Sequence, residues 1–169
     1  MNSHRMSIIG CVGMLGFLLL HGAAGIGQHK QQNDRKSACT AAHPENICGV
    51  NNTCGSSSTS CTVDVKRTAD SAAAKANIPD AKDNALFCVK AGTKVTWQSE
   101  SKNTGFVIDF GTSSPFDPPG TVIGGSDRSV TVVAKTPGCF KYSTGACMSG
   151  AIYGMCDSVD GDVIVLGSD

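Results

Sequence analysis

The chain has 169 residues, with 14 Lys and Arg against 14 Asp and Glu, so its formal charge is zero. Neither sign forms a block beyond residues His29 to Lys36, which leaves no electrostatic footprint for nucleic acid or an anionic membrane surface. Nine cysteines point instead to an oxidising compartment, where paired thiols become disulfides unless a metal takes them first.

Residues 1–25 have the grammar of an export signal. Met1 to Arg5 give a short basic start, Ile8 to Leu20 an apolar run, and Gly22-Ala23-Ala24-Gly25 the small residues of a cleavage site. The run is too short to span a bilayer as a stable helix, so no membrane span is expected after cleavage. Ile8-Ile9-Gly10-Cys11 resembles a lipoprotein box, but the hydrophobic run continues past Cys11, which argues against lipidation. The expected location is secreted or periplasmic, and the mature chain is long enough for one domain.

Residues 26–60 divide into a polar leader, through Ala38, and a Cys-rich extension. From Cys39 the chain is rich in Asn, Ser, Gly and Thr, and such a segment buries too little to hold itself without covalent links. Setting Cys11 aside leaves Cys39, Cys48, Cys54, Cys61, Cys88, Cys139, Cys147 and Cys156, an even number in an exported chain. Four bridges are expected, in any of 105 connectivities.

Residues 61–169 read as a run of short strands. "CTVDVKR" alternates, with Val63 and Val65 on one face, and "ADSAAAKA" is the single stretch that reads as a helix, two turns halted by Pro79. "LFCVKAGTKVTWQS" is two strands broken at Ala91-Gly92, and "GFVIDF" sets Phe106, Ile108 and Phe110 on one face and Val107 and Asp109 on the other. Asp117-Pro118-Pro119-Gly120 is a turn. "RSVTVVA", "GCFKYS" and "DVIVLG" follow as strands, with Asp160-Gly161 expected as a hairpin turn. Cys139 falls on the face opposite Phe140 and Tyr142, away from the core, and Cys88 shares a side with Leu86. Both are therefore placed to bridge to the Cys-rich segment. About seven strands with Gly and Pro turns imply an all-β, antiparallel β-sandwich.

Three motifs in this order resemble the cupredoxin family, the blue-copper sandwiches. "VKAGTKVTW" is similar to the family's Gly-x-x-Val-x-Trp strand opening, "TPGCFKY" to its Pro-Gly-x-Phe/Tyr-x-Tyr approach to the metal loop, and "GDVIV" to its last strand. The resemblance covers about two thirds of the chain and implies a Greek-key sandwich. It also implies a copper site of one thiolate, two imidazoles and a long axial thioether. Carried over by position, the first imidazole falls on Phe106, the thiolate on Thr144 and the second imidazole on Cys147, while Met155 falls where the thioether stands. All four histidines, His4, His21, His29 and His43, precede the sandwich. The resemblance therefore implies the fold without its type-1 copper centre.

Cys147, Met148, Met155 and Cys156 nevertheless gather four sulfur groups near one loop, and soft sulfur ligands select Cu(I). The structural alternative is a Cys147–Cys156 disulfide with the methionines filling apolar gaps. Asp157, Asp160 and Asp162 match no EF-hand spacing. No Gly-x-Ser-x-Gly or Walker pattern occurs, and without a histidine in the sandwich the chain offers no acid-base pair, so no enzyme is expected. Trp97 reads as core. The expectation is a monomeric, exported, cupredoxin-like binding or structural module with no cofactor, acting on a protein or small-molecule ligand. The alternative is a copper-binding or electron-transfer protein using the four sulfur residues.

Overall fold

The computed structural model describes residues 36–56, 58–67, 72–79, 85–125, 127–148 and 157–168. Residues 1–25, read above as an export signal, and most of the polar leader lie outside them. After two short 3-10 turns, Ala38–Thr40 and Pro44–Ile47, the described residues are strands and their connections. The strands are β1 (Cys61–Arg67), β2 (Ala72–Ala76), β3 (Leu86–Lys90), β4 (Lys94–Ser99), β5 (Thr104–Asp109), β6 (Phe116–Asp117), β7 (Val122–Gly125), β8 (Val130–Ala134), β9 (Gly138–Met148) and β10 (Asp157–Leu166).

They form two five-stranded sheets, ordered β2-β1-β4-β8-β6 and β3-β10-β9-β5-β7. Pairing is mixed where the sequence suggested antiparallel throughout, because β1 runs parallel to β4 and β3 parallel to β10. One apolar cluster draws on both sheets, including Val63, Val65, Val95, Trp97 and Val132 from the first and Phe87, Val89, Phe106, Ile108, Tyr142 and Val163 from the second. Trp97 is fully buried at its centre, with ring contacts to Phe87, Phe110, Phe116 and Tyr142 at centroid separations of 5.8 to 6.4 Å. These edge-on geometries suit the aromatic quadrupole and add to the area that the rings bury. The tryptophan is core, as its strand position suggested.

Alternation explains most strand faces. In β5 Phe106 and Ile108 are buried while Asp109 is exposed, and in β4 Val95 and Trp97 are buried while Lys94 and Gln98 are exposed. Gly92, with φ at +89°, turns the chain from β3 in one sheet to β4 in the other, a backbone conformation costly for any residue with a Cβ.

Three expectations are corrected. "ADSAAAKA" does not form a helix over its described part: Ala72–Ala76 is a strand paired antiparallel to β1, with Ala72, Ala74 and Ala76 buried. Alanine's helix preference is worth only tenths of a kcal/mol over most residues, and a ladder with a half-buried partner strand outweighs it. Asp160-Gly161 is not a turn but lies inside β10, with Gly161 opposite Tyr142. The glycine is required by contact, since a methyl there would run into the Tyr142 ring and the Ala85 carbonyl oxygen. Finally, the leader is anchored at its end. Ser37 Oγ donates to Asp162 Oδ1 at 2.7 Å, and the Ala38 N–H donates to Asp162 Oδ2 at 2.8 Å.

The Cys-rich segment lies over the outer face of the second sheet. Cys39 is bonded to Cys139 on β9 and Cys48 to Cys88 on β3. Ile164 of β10 is the register partner of both Cys88 and Cys139, so the two bridges flank it in one row across three strands. Ala38, Leu86, Cys88 and Ile164 form a second, smaller cluster, with Cys48, Cys139 and Leu166 packed on it. Further on, Thr53 bridges to Cys88: the Cys88 N–H donates to Asn52 O at 2.7 Å and the Cys54 N–H to Cys88 O at 2.8 Å. That pairing covers the outer edge of β3, which would otherwise expose unpaired backbone groups. Cys54 then bonds to Cys61, and both are buried in the main core. By backbone contacts, Gln32–Asp169 group as one unit.

Candidate functional site

Of the residues aligned with copper ligands, Phe106, Thr144 and Cys147 lie on β5 and β9, neighbours in the second sheet. Phe106 is opposite Ala146, and Thr144 is opposite Ile108. All four are buried, which puts them on the inward face of their strands. Phe106 has no lone pair to give a metal, and Thr144 offers a hard hydroxyl in place of a thiolate. The Thr144 hydroxyl and the Trp97 Nε1 are buried with no hydrogen-bond partner among the described residues. Each is left desolvated without compensation, a cost that polarity alone did not flag in the sequence.

Cys147 is three residues beyond Thr144 on a strand, and side chains alternate with period two, so it faces the other way. It is half-buried, opposite Gly105. It is also disulfide-bonded. Six of the other cysteines are accounted for in the three bridges above, and the remaining two, Cys11 and Cys156, lie outside the described residues. A disulfide sulfur is not a thiolate, so in this state Cys147 does not supply the anionic donor that copper ligation requires. Met148 ends β9 opposite Thr104. Met155 and Cys156 lie outside the described residues, so of the four sulfur candidates only Cys147 and Met148 are placed on a strand.

The strand holding these residues is longer than "GCFKYS" suggested: β9 continues to Met148 and is paired with β10 from Val165↔Gly138 to Asp157↔Ala146. Much of the stretch that resembled a metal loop is thus ladder. Tested against a type-1 copper ion, the residues do not fit: a hydrocarbon, a hydroxyl and an oxidised sulfur stand where two imidazoles and a thiolate are needed. Among the described residues, no group of three or more His, Cys, Asp or Glu is arranged to hold a metal.

The acidic residues near the C-terminus are employed individually. Asp162 is buried and holds Ser37 and Ala38. Asp160 accepts a hydrogen bond from Ser143 Oγ at 2.6 Å across the β9·β10 ladder. A shallow hollow of about 160 Å³ is lined by Ser56, Ser58, Thr59, Ser60, Gly92 and Lys94. Its hydroxyls are largely turned on one another, with Ser56 Oγ 3.1 Å from Ser58 Oγ and 2.8 Å from Thr59 Oγ1. This arrangement closes a turn and leaves Lys94 as its one charged group.

The outer face of the first sheet is a polar ladder. Thr62, Thr96 and Thr131 stand in one row, with the last two hydroxyls 2.9 Å apart, and in the next row Gln98 Nε2 donates to Asp64 Oδ1 at 2.7 Å. Cross-strand pairs of this kind stabilise a solvent-facing sheet and require no ligand to explain them.

No model of a known protein family matches the chain, and no characterised protein matches it in a sequence search.

Proposed function

We propose that the chain is an exported, cupredoxin-like β-sandwich that acts as a binding or structural module without a type-1 copper centre. The strand order supports the sandwich reading. After β1 and β2, consecutive strands pass from one sheet to the other at β2 to β3, β3 to β4, β4 to β5 and on through β9, and the two sheets bury side chains in a common core. Such alternation is the wiring of a Greek-key sandwich. Three disulfides among the described residues favour an oxidising, extracellular environment, and no described helix is long and apolar enough to cross a membrane.

One observation carries the functional reading: Cys147 is oxidised, on the face of β9 opposite Thr144, while Phe106 and Thr144 fill the inward ligand positions. We take the partner of Cys147 to be Cys156, the pairing that the spacing of the two cysteines in the sequence suggests. A covalent clip then closes the end of the β9·β10 hairpin that the family closes with metal. With no histidine in the sequence after His43, function falls to surfaces in this reading, and a protein or small-molecule partner is the class of ligand that remains.

Titrating the unreduced protein with Cu(I) against a competing chelator tests this. The proposal expects no one-to-one uptake, whereas stoichiometric copper lost on Cys147→Ser or Met155→Leu would replace it with the copper-carrier reading.

A further inference from the structure

We infer that residues 36–53 form a strap that reduction releases from the outer face of β3, β10 and β9 while the sheets stay folded. Four independent features converge on this segment. It is held by Cys39–Cys139 and Cys48–Cys88, which flank Ile164 in one row. Its first turn hangs on the Asp162 carboxylate. Its end pairs with the β3 edge at Cys88. The apolar residues beneath it form a cluster separate from the main core.

The strap's own sequence cannot hold it. Ala38 is its sole buried apolar residue before Cys54, and its own regular structure is turns of three or four residues. A segment that buries so little stays ordered only while its cross-links restrict it. The bridges also differ in access. Cys39, Cys48 and Cys139 are half-buried, whereas both sulfurs of Cys54–Cys61 belong to buried residues of the main core. Thiol exchange needs a path to the attacked sulfur, so the two strap bridges react first.

The step is a two-electron reduction at each bridge by a dithiol. At Cys48–Cys88 a reductant thiolate attacks the Cys48 sulfur, the S–S bond breaks, and Cys88 leaves as a thiolate that takes a proton. The reductant's second sulfur then displaces Cys48, which is protonated in turn, and the reductant leaves as a disulfide. The same exchange at Cys139–Cys39 frees the other end. Release bares a strip comprising Leu86, Ile164 and Leu166 and returns the Cys88 N–H and C=O to the open edge of β3, so the redox state sets whether this face is closed or available.

The test is graded reduction of the folded, oxidised protein with dithiothreitol, with alkylation and peptide mass mapping at each step. Trp97 quenching and amide exchange at Cys88 are followed in parallel. The expected result is labelling of Cys39, Cys48, Cys88 and Cys139 while Cys54–Cys61 persists. Trp97 stays shielded, and exchange at the Cys88 amide rises by roughly 100-fold as local opening replaces global protection. Loss of Cys54–Cys61 in the same step, exposure of Trp97 with it, or an unchanged Cys88 amide once both strap bridges are reduced would each overturn the inference.

Discussion

The Asp162 carboxylate accepts the backbone N–H of Ala38 at 2.8 Å, joining residues 124 positions apart in the chain. It also accepts the Ser37 hydroxyl, and because it is buried on the face that the Cys-rich segment covers, these bonds stand in for lost water. Asp162→Ala leaves the Ala38 N–H without its acceptor, at a cost of about 1–3 kcal/mol. Denaturant unfolding read through Trp97 fluorescence checks the magnitude, and amide exchange at Ala38 should accelerate more than exchange in β1 or β4.

Gly161 carries a second, sharper prediction. The Tyr142 ring and the Ala85 carbonyl oxygen occupy the space that a Cβ at Gly161 would need, and the Tyr142 hydroxyl donates to that same Ala85 oxygen at 3.2 Å. Gly161→Ala must therefore displace a core ring and costs about 1–3 kcal/mol, the usual range for overpacking. Equilibrium unfolding should show a lowered midpoint with an unchanged slope, because the strain is local and the surface exposed on unfolding stays the same.

These two residues show what could be read in advance. Period-two alternation located the faces of β4 and β5 and the core place of Trp97, because those strands are buried on one side only. The same alternation set Cys139 away from the core and Cys88 on the side of Leu86, and both are bonded to the Cys-rich segment. It failed where a residue's job depends on a distant neighbour. Asp160-Gly161 has the composition of a hairpin turn, and only the ring across the ladder makes it strand; Ala72–Ala76 has the composition of a helix, and only pairing with β1 makes it strand. Nothing around Asp162 in the sequence signalled its role, because its partners precede it by more than a hundred positions. At the candidate site, the missing histidines were legible as residue types, whereas the outward aim of Cys147 depended on β9 extending through the expected loop.

Phe106 tests whether the ligand position has become ordinary core. It packs within the main cluster, and the space beside it is so filled that a Cβ on Gly124 would meet its ring. Phe106→Ala should cost about 3–5 kcal/mol, as for other buried aromatics. Phe106→His paired with Thr144→Cys should be destabilised and should develop no intense visible charge-transfer band on adding Cu(II). A third ligand on the inward face is still missing in that variant.

The strap also has a pH signature. The carboxyl of Glu45 is held below its ordinary value, first by a hydrogen bond from its own backbone N–H and then by the His43 ring, whose Nδ1 is 3.1 Å away. A carboxyl with a depressed folded value favours the native turn above the unfolded value, and that contribution is lost as pH falls through the depressed one. A carboxyl-detected NMR titration should find Glu45 below a peptide reference, and His43→Ala should move it part of the way back.

The central claim is that the sulfur at the end of the β9·β10 hairpin is spent on a covalent clip and not on a metal. Peptide mapping of the unreduced, denatured protein after alkylation measures this directly. The account predicts a linked peptide joining Cys147 to Cys156, with neither carrying the alkyl label. Recovery of both residues as labelled free thiols, or of Cys147 joined to another cysteine, would contradict it.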